Sequence, residues 1–147
     1  MENELFELID EAINLEMKIG KLYSLFSRNS PQDKGFWLQL ESEEYKHAAL
    51  LKAARQFITF SKFPIDLVPQ KVEQLKQSIS QIDLSYKQLE ANPDRLNAFS
   101  IAYELENLAG ELHYQHQRGN GILLFFLMGS RESIKIAKRY FRDDLGR

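Results

Sequence analysis

The sequence predicts an all-α protein: four long helices arranged as two hairpins joined by a long crossover. Three observations carry this. Only seven glycines and four prolines punctuate the 147 residues. The apolar positions recur with a period near 3.6 rather than 2. The connections between the long periodic segments read short, long, short, and a bundle with one long connection is an established arrangement, whereas an up-down-up-down bundle has no use for about 30 residues in the middle.

The first helix spans about 4–27, with Leu5, Leu8, Ile9, Ala12, Leu15, Ile19, Leu22, Tyr23 and Phe26 on one stripe. Asn29-Ser30-Pro31-Gln32-Asp33-Lys34-Gly35 is a loop by its turn residues. A second helix covers about 36–60 and stops before Pro64, completing a hairpin over about 4–60. Pro64, Pro69 and Pro93 punctuate the crossover, about 61–92, and two short amphipathic helices fit it, about 69–80 and 82–91. The third helix opens with Asn92 as cap, Pro93 at its first position and Asp94 in the first turn, and runs to about Gln117. After the Arg118-Gly119-Asn120-Gly121 turn, a fourth helix covers about 122–144, so the second hairpin is about 93–144 and the whole of 1–147 is a single domain.

The two hairpins resemble each other. Setting residue 12 against residue 102 matches Ala12 with Ala102, Leu15 with Leu105, Glu16 with Glu106, Gly20 with Gly110 and Leu22 with Leu112, which are five identities over positions 12–23. This points to an internal duplication, and one matched pair is a pair of glutamates.

Composition excludes several classes. With no cysteine, the chain has no disulfide, thiolate metal site or cysteine nucleophile. The net charge of −2, from 19 basic and 21 acidic side chains, gives no general attraction to nucleic acid. The one basic cluster, Lys135, Lys138, Arg139 and Arg142, sits where cations complement a helix C-terminus. The acidic start, Met1-Glu2-Asn3-Glu4, and a longest apolar run of only Ile122 to Met128 match neither a signal peptide nor the roughly 20 residues of a membrane span. The expectation is a cytoplasmic protein with neither nucleic-acid nor membrane partners. The apolar start of the fourth helix is expected to be covered by another copy in a homodimer.

Four ionisable residues occupy positions where the periodicity calls for apolar ones. Glu16 lies between Ala12 and Ile19 on the first stripe. On the second helix the stripe reads Phe36 or Trp37, Leu40, Glu44, His47, Leu51 and Ala54. Glu44 and His47, three apart, project from one face. Glu106 follows Phe99 and Tyr103 on the third stripe. Burying carboxylates costs several kcal/mol each unless they are paired, protonated or bound to a cation. Clustered carboxylates repel, so a metal ion is the natural resolution. Oxygen donors with one imidazole suit iron or manganese, with zinc also accommodated.

The Glu16-x6-Tyr23 spacing, the Glu44-x-x-His47 pair and the Ala102/Glu106 positions resemble the rubrerythrin and ferritin-like di-iron carboxylate family. In that pattern the first and third helices each give a glutamate, and the second and fourth each give Glu-x-x-His. The resemblance implies Glu16, His47 and Glu106 as terminal ligands, Glu44 as a bridging carboxylate and Tyr23 as the catalytic candidate beside the metal. It implies an iron-dependent oxidase or peroxidase of small oxidants.

The departures are specific. The fourth helix has no histidine, and the duplication register puts Ile134 and Ala137 where Glu44 and His47 fall. Glu132-x-x-Lys135 is the nearest substitute, yet Glu132 lies about 160° around the helix from Ile134. Ala109 stands where the family has a further carboxylate, and His113 stands opposite Tyr23 in the repeat. Four placed ligands suit one ion or an asymmetric pair better than a symmetric di-iron centre. The competing reading is a non-catalytic, partner-binding bundle with a relic site that Arg131 or Lys135 neutralises. Iron storage is the weakest reading, because nothing marks the surface a cage needs. His113 and His116 read as polar residues near the bundle end.

Overall fold

A computed structural model of the chain describes the backbone of residues 2–58 and 72–114, and the side chains of 4–56 and 72–106. The described residues are all-helical, without a strand: α1 (Glu2–Asn29), a 3-10 turn (Pro31–Asp33), α2 (Lys34–Ile58), α3 (Val72–Ala91) and α4 (Arg95–Tyr114). They divide into two compact units, Met1–Arg95 and Leu96–Arg147. The expected fourth helix, with Ile122–Met128, Arg131, Glu132 and Lys135, lies outside the described residues, as does the segment linking α2 to α3.

In the first unit α1 is central, packing along both α2 and α3. Its contacts with α2 run in opposite senses along the two helices. Asp10 meets Arg55 at 2.6 Å, a Cβ on Gly20 would lie 2.7 Å from the Tyr45 ring, and the Phe26 and Trp37 rings meet at 4.9 Å. This is the predicted antiparallel hairpin. Gly20 has a specific reason: the Tyr45 ring lies against it, in the space a methyl group would take.

The turn of the hairpin is fixed by its own chemistry. The Ser30 N–H donates to the Phe26 carbonyl and the Asp33 N–H to the Ser30 carbonyl, both at 3.0 Å. Pro31 opens the 3-10 turn, where its missing N–H costs nothing. Just inside the turn Tyr23, Phe26, Phe36 and Trp37 interlock, with Tyr23 stacked on Trp37 at 6.0 Å and Phe36 edge-on to Trp37 at 4.8 Å. Tyr23 and Trp37 are fully buried. Buried rings of this size contribute substantially to the apolar core of the hairpin.

α3 corrects an expectation. The crossover carries one continuous helix, Val72–Ala91, rather than two short ones. Leu75, Ile79, Ile82 and Leu89 form an unbroken buried stripe, and no glycine or proline interrupts it. Lys76 pairs with Glu7 at 2.8 Å, Lys18 with Asp83 at 2.7 Å, and Asn29 Nδ2 donates to the Leu89 carbonyl at 3.1 Å. Residue numbers rise together along the two helices, so α3 runs parallel to α1. Arg55 near the end of α2 and Lys76 near the start of α3 both meet the start of α1, at Asp10 and Glu7, so α1, α2 and α3 run up, down and up.

α4 also differs in detail. It begins at Arg95 rather than at Pro93, so Asp94, not Asn92, directly precedes it. Both residue types favour that position, and the Asn92 N–H instead closes the end of α3 by donating to the Gln88 carbonyl at 2.9 Å. Ala98, Phe99, Ala102 and Glu106 are buried on α4, whereas Tyr103, expected on that stripe, is 46% exposed.

Arg95 opens α4 with a cation at the end of the helix where the dipole disfavours one. Its partner explains it: Nε and Nη2 donate to the two carboxylate oxygens of Asp33 at 2.6 and 2.9 Å. The Asp33 side chain is almost completely buried, and that of Arg95 about one third exposed. This bidentate pair ties the hairpin turn to the end of the first unit. Removing one partner of a fully buried pair costs about 3–5 kcal/mol. Because Arg95 is partly solvated, R95A is expected to cost about 2–3 kcal/mol in denaturant unfolding, and R95K to recover only part of it, since lysine lacks the fork. Unchanged stability of R95A would show that the pair contributes nothing.

Candidate metal centre

The antiparallel register of α1 and α2 places Glu16 level with His47, midway between the Asp10–Arg55 contact and the aromatic cluster. Glu44 precedes His47 by one turn on the same face of α2, because three residues advance about 300° around a helix. The three side chains converge. His47 Nδ1 lies 3.6 Å from Glu16 Oε2 and 3.7 Å from Glu44 Oε2. One ligand atom from each residue falls within 4.8 Å of the other two. Glu44 is 4% and His47 8% exposed, while Glu16 is half-buried.

These separations are informative. They exceed the 2.7–3.2 Å of an N–H···O hydrogen bond. Ligands about 2.1 Å from a common ion, spread by about 120°, stand about 3.6 Å from one another. The two separations to His47 Nδ1 are compatible with ligands around a shared ion. The chemistry fits as well: two hard carboxylate oxygens and one imidazole nitrogen form a set that iron, manganese or zinc accepts.

The electrostatics follow from the same geometry. Burial alone would lower the His47 pKa, but the Glu16 and Glu44 carboxylates outweigh it and raise it from 6.5 to about 10. At neutral pH, without a cation, His47 is an imidazolium neutralising one of its two carboxylates. A divalent ion would replace the proton on Nδ1, exchanging a single positive charge for two and neutralising both carboxylates. Nε2, the nitrogen that then keeps its proton, is buried with no hydrogen-bond partner among the described residues. A ligating histidine is commonly oriented through this second nitrogen. Here the ring is held by its packing and by the carboxylates.

Glu16, Glu44 and His47 are thus brought together as the sequence pattern predicts. Glu106, the fourth expected ligand, is 5% exposed on α4, in the second unit. Tyr23 is fully buried two turns beyond Glu16, about 10 Å along α1 by helical rise, with its ring clamped between Phe26 and Trp37. The side chains of Ala109, His113 and His116 lie outside the described residues. Sequence reasoning passed over Asp33, reading it as an ordinary turn residue. The one available signal was the cation at the start of α4.

Comparisons with protein-family models, with curated proteins and with solved structures each return no significant match.

The raised pKa makes a signed prediction. A histidine whose folded pKa exceeds its unfolded value stabilises the fold fully below about 6.5, and this contribution fades as pH rises toward about 10. Metal-free protein, kept in a chelator, is expected to lose up to a few kcal/mol of unfolding free energy across that window, and H47Q to show a flatter profile. Denaturant titrations at several pH values check this, and superimposable profiles for wild type and H47Q contradict it.

Proposed function

We propose that this chain is a ferritin-like metal-binding protein that holds one divalent first-row ion on Glu16, Glu44 and His47. The observation that carries the reading is the convergence of three ligand atoms within 4.8 Å on one hairpin, two of them from almost completely buried side chains. Glu106, matched to Glu16 in the repeated sequence, is buried within the second unit, and the reading rests on the three residues of the first. Three protein donors leave positions open, as a reactive site needs.

When bound, ferrous iron at such a site supplies electrons to peroxide or oxygen, which is the oxidase or peroxidase reading. The chain's own contributions are more definite. Glu44 and His47 fix two donors rigidly through burial on one helix face. Glu16, half-buried, is the donor nearest to solvent and the one best able to shift as ligands exchange. The Tyr23–Phe26–Trp37 cluster excludes water on the side of the hairpin turn. Tyr23 acts there as a positioning residue that holds α1 against α2. No described helix is long and apolar enough to cross a membrane, and a cytoplasmic setting belongs to this proposal.

A second reading has an observation of its own. His47, protonated, already neutralises part of the carboxylate charge, so the cluster can persist without metal as a relic inside a partner-binding bundle. Neutralisation by Arg131 or Lys135 is not required for this.

Metal analysis of protein expressed with iron or manganese supplementation separates the two. The metal reading predicts about one ion per chain, lost in E44A and H47Q while far-UV circular dichroism stays helical. Wild type and E44A that are equally empty would favour the relic.

A further inference from the structure

The outward face of α2, turned away from the carboxylates, has no role in the metal reading. Leu38, Glu41, Ser42, Tyr45, Lys46 and Ala49 line a shallow, open groove of about 420 Å³ along it. Leu38 is 42% and Tyr45 37% exposed, and Ser42 and Ala49 are exposed between them. A solvent-facing stripe ordinarily carries charge along its length. This one alternates large apolar and small residues at positions 38, 42, 45 and 49, with one charge on either side.

The six positions are symmetric about the point between Glu43 and Glu44: 38 mirrors 49, 41 mirrors 46, and 42 mirrors 45. When two copies of a helix pack antiparallel across a two-fold axis at that point, mirrored residues face each other. Leu38 then meets Ala49 of the partner subunit, Tyr45 meets Ser42 of the partner subunit, and Glu41 meets Lys46 of the partner subunit. Each large side chain faces a small one and each charge faces its opposite, which is the complementarity that a close helix pair requires. Parallel packing in register would set Leu38 on Leu38, Glu41 on Glu41 and Lys46 on Lys46. Lys46 already pairs with Glu43 of its own chain at 2.8 Å, yet its side chain is 62% exposed and free to reach a second carboxylate. Tyr45 is pre-set for the contact, because its ring lies against Gly20 of α1.

We propose that this face of α2 is the two-fold interface of an antiparallel homodimer of the chain. It is a different surface from the Ile122–Met128 segment that the sequence alone suggested for dimerisation. One helix pair buries less than a standard interface, which places the dimer among weak, concentration-dependent ones.

Sedimentation equilibrium of the full chain in chelator, over about 1–200 µM, tests this independently of metal. E41K and K46E should each weaken the dimer by about tenfold, since each places like charges together at two symmetry-related points. The double variant E41K/K46E restores opposite pairing and should return to within about threefold of wild type. Y45A should leave a monomer over most of that range. Because the sequence has no cysteine, cross-linking is clean: a mixture of L38C and A49C should form a disulfide-linked dimer, and neither alone should. A wild type that is monomeric throughout overturns the proposal. So does a dimer indifferent to reversal of Glu41 and Lys46, or one in which L38C links to itself.

Discussion

Two carboxylates and an imidazole share the low-dielectric space between α1 and α2, and the rest of the first unit is consistent with that constraint. Glu44 and His47 are both nearly excluded from water, and their donor atoms lie 3.7 Å apart. Such a cluster calls for compensating positive charge or a protonated carboxyl. A proton on His47 is one such charge and a divalent ion is a better one. The competition between them links the structure of the hairpin to its proposed chemistry.

That competition requires the donors to be held still. Below the site, the four-ring cluster at the hairpin turn fixes the spacing of α1 and α2. Above it, Asp10 grips Arg55 at 2.6 Å. α3 stiffens α1 from another side through its apolar stripe, with Lys76 and Asp83 placed against Glu7 and Lys18. The surface pairs contribute little energy individually. Their value here is directional, because they set the parallel register of α3 on α1. The Asp33–Arg95 pair is different in kind: it neutralises the buried Asp33 carboxylate at the turn and satisfies a cation that the start of α4 would otherwise disfavour.

Much of this was legible in the sequence, and for a local reason. Glu16, Glu44 and His47 interrupt apolar stripes, and helical periodicity alone assigns them to the inward face; their convergence then needs only an antiparallel hairpin with a short turn. Features that depend on choices between equivalent local signals were not legible. Residues 102 and 103 both fit a stripe through 99 and 106, and packing buried Ala102 while leaving Tyr103 exposed. Asn92 and Asp94 are both good helix-starting residues, and only the structure shows that Asn92 finishes α3. The continuity of α3 was missed because prolines flank the segment without entering it. Asp33–Arg95 joins residues 62 apart, and no periodicity reports such a contact.

In the proposed function, His47 gives up a proton as the hairpin takes up a cation. Calorimetric titration of the metal-free protein with Mn²⁺ at pH 7.5, in buffers of different ionisation enthalpy, counts the protons released on binding. With a His47 pKa of about 10, the account predicts close to one proton released per ion bound, and no such release from H47Q. Binding with no proton release, or release unchanged in H47Q, would place the cation elsewhere and contradict the account.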